Sequence, residues 1–132
     1  MLRTQAIEQF ATHLYGVFAF RITDRLTRED LKEMAETMNR AFDHHEEIDL
    51  LISFRTDEDA ELIAGLSAEA IKAQFRALSK VRNYCVAYAP EGAEAMIEFF
   101  DNILPVKART FASEHNALEH LRAQPGLAKS AA

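Results

Sequence analysis

The sequence predicts an α/β fold, one domain built on a sheet with at least three parallel neighbours and helices packed against it. Three observations carry this. Short runs rich in aromatic and β-branched residues alternate with longer stretches of helical periodicity. One of those runs, "IDLLISF" (48–54), is apolar on both faces, as a central strand covered on each side must be. Strands that alternate with helices in 132 residues are joined economically only by crossovers, which makes neighbouring strands parallel.

The elements follow in order. "YGVFAFRIT" (15–23) reads as a strand that ends in the polar "TDRLT". Thr27 has the features of an N-cap, with Glu29 and Asp30 in the first turn where the helix dipole favours acids. Leu31, Met34, Ala35, Met38, Ala41 and Phe42 then recur at helical spacing, and Leu26 and Leu31 fill the two places of a hydrophobic staple. After the central strand, Ser67 caps a second predicted helix with Ile71, Phe75 and Leu78 on its apolar side and Leu66 and Ile71 as its staple. "YCVAYA" (84–89) is a short strand stopped by Pro90. A third helix is predicted from about Glu91 to Leu104, ended by Pro105. "VKARTF" (106–111) reads as a strand, and Ser113 caps a last helix through Leu118 and Leu121. Residues 5–11 fit either a further strand pairing antiparallel with 15–23 or a helix, because Ile7, Phe10, Ala11 and Leu14 satisfy helical spacing as well.

Composition narrows the function. Fifteen basic residues against 21 acidic ones give a formal charge of −6, with Lys and Arg scattered. Nucleic acid or an anionic membrane would need a clustered basic face, so neither is an expected partner. No segment approaches the ~20 apolar residues needed to span a bilayer. The start, "MLRTQAIEQFATH", lacks the pattern of a secretory signal, and a single cysteine, Cys85, fits a reducing cytoplasm. The domain is expected over 1–124, with 125–132, after Pro125-Gly126, as a frayed tail.

Candidate chemistry is sparse. "DHHEE" (43–47) offers ligand atoms, but adjacent histidines on a helix point about 100° apart, and a solvated helix end accounts for them without metal. Cys85 lies in an apolar strand and reads as a structural thiol. The chain holds no G-x-S-x-G elbow, P-loop or G-x-G-x-x-G, and no cofactor is expected. The stretch after the central strand, with Asp57, Glu58, Asp59, Leu62 and Leu66, is an acidic loop where α/β sheets commonly place their contacts. The third helix is broader in its apolar stripe than covering a sheet requires. Met96, Phe99 and Phe100 there suit a subunit interface or a lipid-like pocket, or plain core.

"GVFAFRITDRLTREDLKEM", "DLLISF", "KVRNYCVAYAPEGAEAMIEFF" and "VKARTFASEHNALEHL" resemble successive blocks of the SpoIIAA-like family, within the wider STAS (SEC14-like) fold, over roughly residues 15–122. The resemblance implies a mixed, mainly parallel sheet of about five strands flanked by helices, with residues 5–11 as the first strand. It further implies a non-catalytic cytoplasmic binding or regulatory module that contacts a protein partner or itself. A small carrier of an apolar ligand, held between the third helix and the sheet, is the alternative. In the anti-sigma antagonist branch a serine at the start of the helix after the central strand accepts phosphate. Ser67 stands at a comparable place, although the local text "GLSAE" serves equally as an ordinary cap.

Overall fold

The computed structural model describes residues 1–55, 72–88, 98 and 101–124, and these contain the mixed sheet. Five strands, β1 (Ile7–Phe10), β2 (Val17–Ile22), β3 (Ile48–Phe54), β4 (Val81–Ala87) and β5 (Arg109–Phe111), lie side by side in chain order. The β1–β2 pair is antiparallel and the other three pairs are parallel. Helix α1 (Arg28–His44) crosses from β2 to β3, and α2 (Glu114–Arg122) follows β5. Crossovers between parallel strands are right-handed, so strands laid down in one direction keep their connections on one face. The buried residues obey this. Leu31, Met34, Met38 and Phe42 of α1 share a core with Phe75, Leu78, Ile103 and Leu104 and with Phe20, Leu50, Ile52 and Tyr84 of the sheet. Among the described residues helix α2 alone covers the opposite face, over a smaller core of Val17, Ala19, Leu51, Cys85 and Ala87.

Helix α1 begins where the sequence places it. Thr27 accepts from the Asp30 backbone N–H, while the Asp30 carboxylate accepts from the Thr27 backbone N–H at 2.7 Å, a reciprocal capping box. Burial opposes the charge on Asp30, yet hydrogen bonds from Thr4 and Thr27 hold its carboxyl below the usual range. Both staple leucines, Leu26 and Leu31, are fully buried in the larger core. The helix runs to His44, two residues past the last apolar position, because its C-terminal carbonyls find a partner. Lys80 Nζ donates to the Phe42 and His45 carbonyls.

Residues 7–10 are a strand, which settles the N-terminal alternative. Ile7 enters the larger core whereas Phe10 and Leu14 pack against the smaller one on the other face. A helix would have placed Ile7 and Phe10 on the same side. The turn to β2 uses two left-handed residues, His13 (φ 59°) and Gly16 (φ 75°). The outer edge of β1 is shielded, since the chain start folds back on it with Gln9 N–H donating to the Leu2 carbonyl at 2.9 Å.

Two strand boundaries differ from expectation. β4 begins at Val81 rather than 84, since Arg82 and Asn83 are held in the sheet by the Asp49 carboxylate at 3.3 and 2.9 Å, next to an irregularity in the β3–β4 register. Two polar residues in succession hid this from a pattern built on apolar alternation. β4 also ends earlier, at Ala87, because Tyr88 turns left-handed (φ 56°). β5 pairs only over Arg109–Phe111, although Val106 and Ala108 still pack on the larger core. The expected second helix from Ser67 and most of the expected third lie outside the described residues; Glu98 and residues 101–103 are helical.

The capping box sets a measurable term. Thr27→Ala is expected to cost about 1 kcal/mol, read as a lower urea midpoint with an unchanged m value.

Candidate functional site

At the carboxyl ends of β2 and β3, on the face covered by α2, several charged side chains converge on one carboxylate. Strand alternation explains the set. Arg21 is in phase with Val17 and Ala19, and Ser53 with Asp49 and Leu51, so both point away from the larger core. Ser113 caps α2 by accepting from the Asn116 N–H at 3.0 Å, which fixes Glu114 as the first helical residue, facing those strand ends.

Glu114 is 9% exposed and its carboxylate accepts four hydrogen bonds. Arg21 binds it bidentately, Nε to Oε2 and Nη2 to Oε1, both at 3.0 Å. Oε2 also accepts from Ser53 Oγ at 2.5 Å and from Arg55 Nε at 3.2 Å. Burial by itself would raise the Glu114 pKa, but the hydrogen bonds from Arg21, Ser53 and Arg55 outweigh it and hold the carboxyl at about 2. The N-terminal end of the α2 dipole acts in the same direction.

The two arginines differ in what they expose. Arg21 is pinned from several sides: Glu8 lies 3.6 Å from its Nη1, and its guanidinium sits 4.0 Å from the centre of the Phe10 ring. Arg55, half exposed, lies over the Tyr88 ring at 4.7 Å. Tyr88 is one of the few exposed large apolar side chains described, and its left-handed backbone is uncommon for an aromatic residue. The Tyr88 N–H donates to the Phe111 carbonyl at 3.2 Å, which ties this turn to β5. A carboxylate kept ionised by three donors is poorly suited to shuttle protons near neutral pH. What the cluster offers is recognition: a guanidinium and an aromatic ring held rigidly at the crest of the sheet.

Other features carry less. An open groove of about 720 Å³ lies between the chain start and α1, lined in part by Gln9, Phe18, Arg40, His44 and His45. The His45 ring packs beside Tyr15 and Phe18 at the end of α1, and burial pushes its pKa down. Among the described residues no group of three or more His, Cys, Asp or Glu is placed to hold a metal ion. Cys85 is buried, and burial with the nearby Asp49 pushes its thiol up to about 12, so it behaves as an inert core residue.

Of the residues singled out from sequence, Asp57, Glu58, Asp59, Leu62, Leu66, Ser67, Met96, Phe99 and Phe100 lie outside the described residues. The cluster around Glu114 is not among those residues. Its signal is present, though: Arg21 in an otherwise apolar strand, Ser53 near the end of the next, and an acid directly after the Ser113 cap.

The depressed Glu114 pKa has a defined consequence for stability. The folded value, about 2, lies below the ordinary 4.5, so the contribution is complete above pH 4.5 and is lost as pH falls towards 2. Denaturant midpoints measured between pH 6 and 2 are expected to fall across that window, and in Glu114→Gln the fall is shallower. The same variant is expected to cost about 3 kcal/mol at neutral pH, because it removes the bidentate charged partner of Arg21 and leaves only the longer contact to Glu8.

Comparison with known proteins now adds a family. Among the described residues no helix is long and apolar enough to cross a membrane. No curated protein matches the chain. The model of the SpoIIAA-like family matches residues 17–122, a span that takes in β2 to α2 and every member of the Glu114 cluster except Glu8 and Phe10. On that match over most of its length, the chain belongs to the SpoIIAA-like family.

Proposed function

We propose that the protein is a non-catalytic regulatory module of the STAS type, working in the cytoplasm by binding a protein partner. The observation that carries this is the Arg55–Tyr88 pair. It stands at the carboxyl ends of the parallel strands, the usual contact region of an α/β sheet, and is fixed there by Glu114. Arginine and tyrosine are the residue types that dominate protein interfaces, and holding them in place beforehand removes part of the ordering cost of binding. Asp57, Glu58, Asp59, Leu62 and Leu66 follow Arg55 directly in the chain, and we assign them to the same surface. We assign Met96, Phe99 and Phe100, which follow Tyr88 later in the chain, to the same surface as apolar members. We keep Ser67 as a candidate phosphate acceptor of the same module, where phosphorylation would add negative charge.

Two variants separate recognition from folding. Arg55→Ala removes the guanidinium from a site that is nearly half exposed, and Tyr88→Gly removes the ring at a backbone position glycine adopts without strain. Both are expected to keep the thermal transition within a few degrees of wild type while weakening partner binding about tenfold or more. Quantitative affinity purification of wild type and both variants from the native host, followed by titration of the retained partner, measures this. A partner bound equally by all three proteins would place the working surface elsewhere.

A further inference from the structure

A second polar site lies at the opposite end of the α2 face, where β4 and β5 begin and α2 ends. A pocket of about 250 Å³ opens there, lined by Arg82, Asn83, Cys85, Lys107, Arg109 and His120 among others. The register explains the convergence. Arg109 pairs with Cys85, so their side chains share the α2 face, and Lys107 lies two residues earlier on the same side of the chain. Three cations thus meet in a protein whose net charge is −6, and none of the pocket's lining residues is acidic.

The surrounding charges show which of these cations are committed. Asp49, fully buried on the same α2 face, accepts from Arg82 at 3.3 Å and from Asn83 at 2.9 Å, and Glu47 lies 3.8 Å from Arg82. Asp101 accepts the Ala108 N–H at 2.7 Å. The C-terminal end of the α2 dipole is negative and opposes an anion weakly. Against these, Lys107 and Arg109 are exposed and have no acidic partner among the described residues. Arg109 is close enough that its charge stabilises the Cys85 thiolate, though burial dominates there. The His120 ring lies against the Phe111 ring, centroids 5.2 Å apart and tilted by 40°, and its Nε2 is 3.3 Å from Gln124 Nε2.

We propose that this pocket binds a compact oxyanion, a phosphate or carboxylate group of a small molecule, through Lys107 and Arg109 with Asn83 and His120 as further polar partners. A guanidinium fork matches either anion with two parallel hydrogen bonds, and a lysine adds a mobile point charge. The volume is below the ~300–1,000 Å³ of drug-sized sites, which limits the ligand to a few heavy atoms beyond the anionic group. The site is separate from the Arg55–Tyr88 surface, so either can fail without the other.

The test is titration of the whole chain with inorganic phosphate and, in parallel, with succinate. Ionic strength is held constant with chloride, and binding is followed by calorimetry and by backbone amide shifts. At least one anion is expected to bind saturably, with shifts centred on residues 106–109 and 120. Lys107→Ala/Arg109→Ala is expected to weaken it at least tenfold, since each charged hydrogen bond lost is worth about that factor. Both side chains are exposed, so the double variant keeps its fold, and Lys32→Ala on α1 controls for general loss of positive charge. The arm that saturates distinguishes phosphate from carboxylate. Failure of both anions to saturate, shifts centred elsewhere, or equal binding by the double variant would each overturn the proposal.

Discussion

Every residue of β3 is buried, and the rest of the structure is arranged to make that tolerable. Hydrogen-bonded neighbours occupy both its edges, so its two side-chain faces must both be covered. On the α1 side this is simple, because Ile48, Leu50, Ile52 and Phe54 meet an apolar helix face. On the α2 side the strand carries Asp49, Leu51 and Ser53, and two of these three are polar. A buried polar group is costly unless its hydrogen bonds are met, so this face cannot be sealed by hydrophobic contact alone. Asp49 draws Arg82 and Asn83 into β4, and Ser53 donates to Glu114. The two polar positions of one strand thus organise the two ends of the α2 face.

The Glu114 cluster is best understood as a specificity device rather than as a source of net stability. Removing a carboxylate from water is expensive, and a bidentate arginine with further donors returns that cost without a large surplus. What the cluster adds is registration. It ties β2, β3 and the start of α2 together at one point, and it orients Arg55 outward. A helix of nine residues on a small core has little apolar area to fix its axial position. Four hydrogen bonds at its first residue supply what packing there does not. A rigid binding surface needs this, since a side chain already held in its bound rotamer loses less entropy on association.

The two ends of this face are electrostatically unlike. At the carboxyl ends of the strands, cations are matched by Glu8 and Glu114 and the exposed remainder is a guanidinium stacked on a ring. At the other end Asp49 is engaged by Arg82 and Asn83, and the exposed remainder is Lys107 and Arg109. The first suits a broad contact with another protein; the second suits a small charged group.

The sequence by itself determined the fold class and the main described elements. Thr27 and Ser113 begin α1 and α2, Ile48–Phe54 is the central strand, and the SpoIIAA-like blocks lie within the span that the family model matches. These are local properties: cap chemistry and apolar period act within a few residues and leave their mark in the text. The tertiary structure alone decided the rest. Residues 7–10 became a strand because β2 offers an edge and the two cores lie on opposite faces, which no local spacing encodes. β4 begins at Val81 because a carboxylate 33 residues earlier reaches Arg82, 34 residues before Asn83. Glu114 meets Arg21 across 93 residues, so its role becomes visible only once the sheet has brought β2, β3 and α2 together.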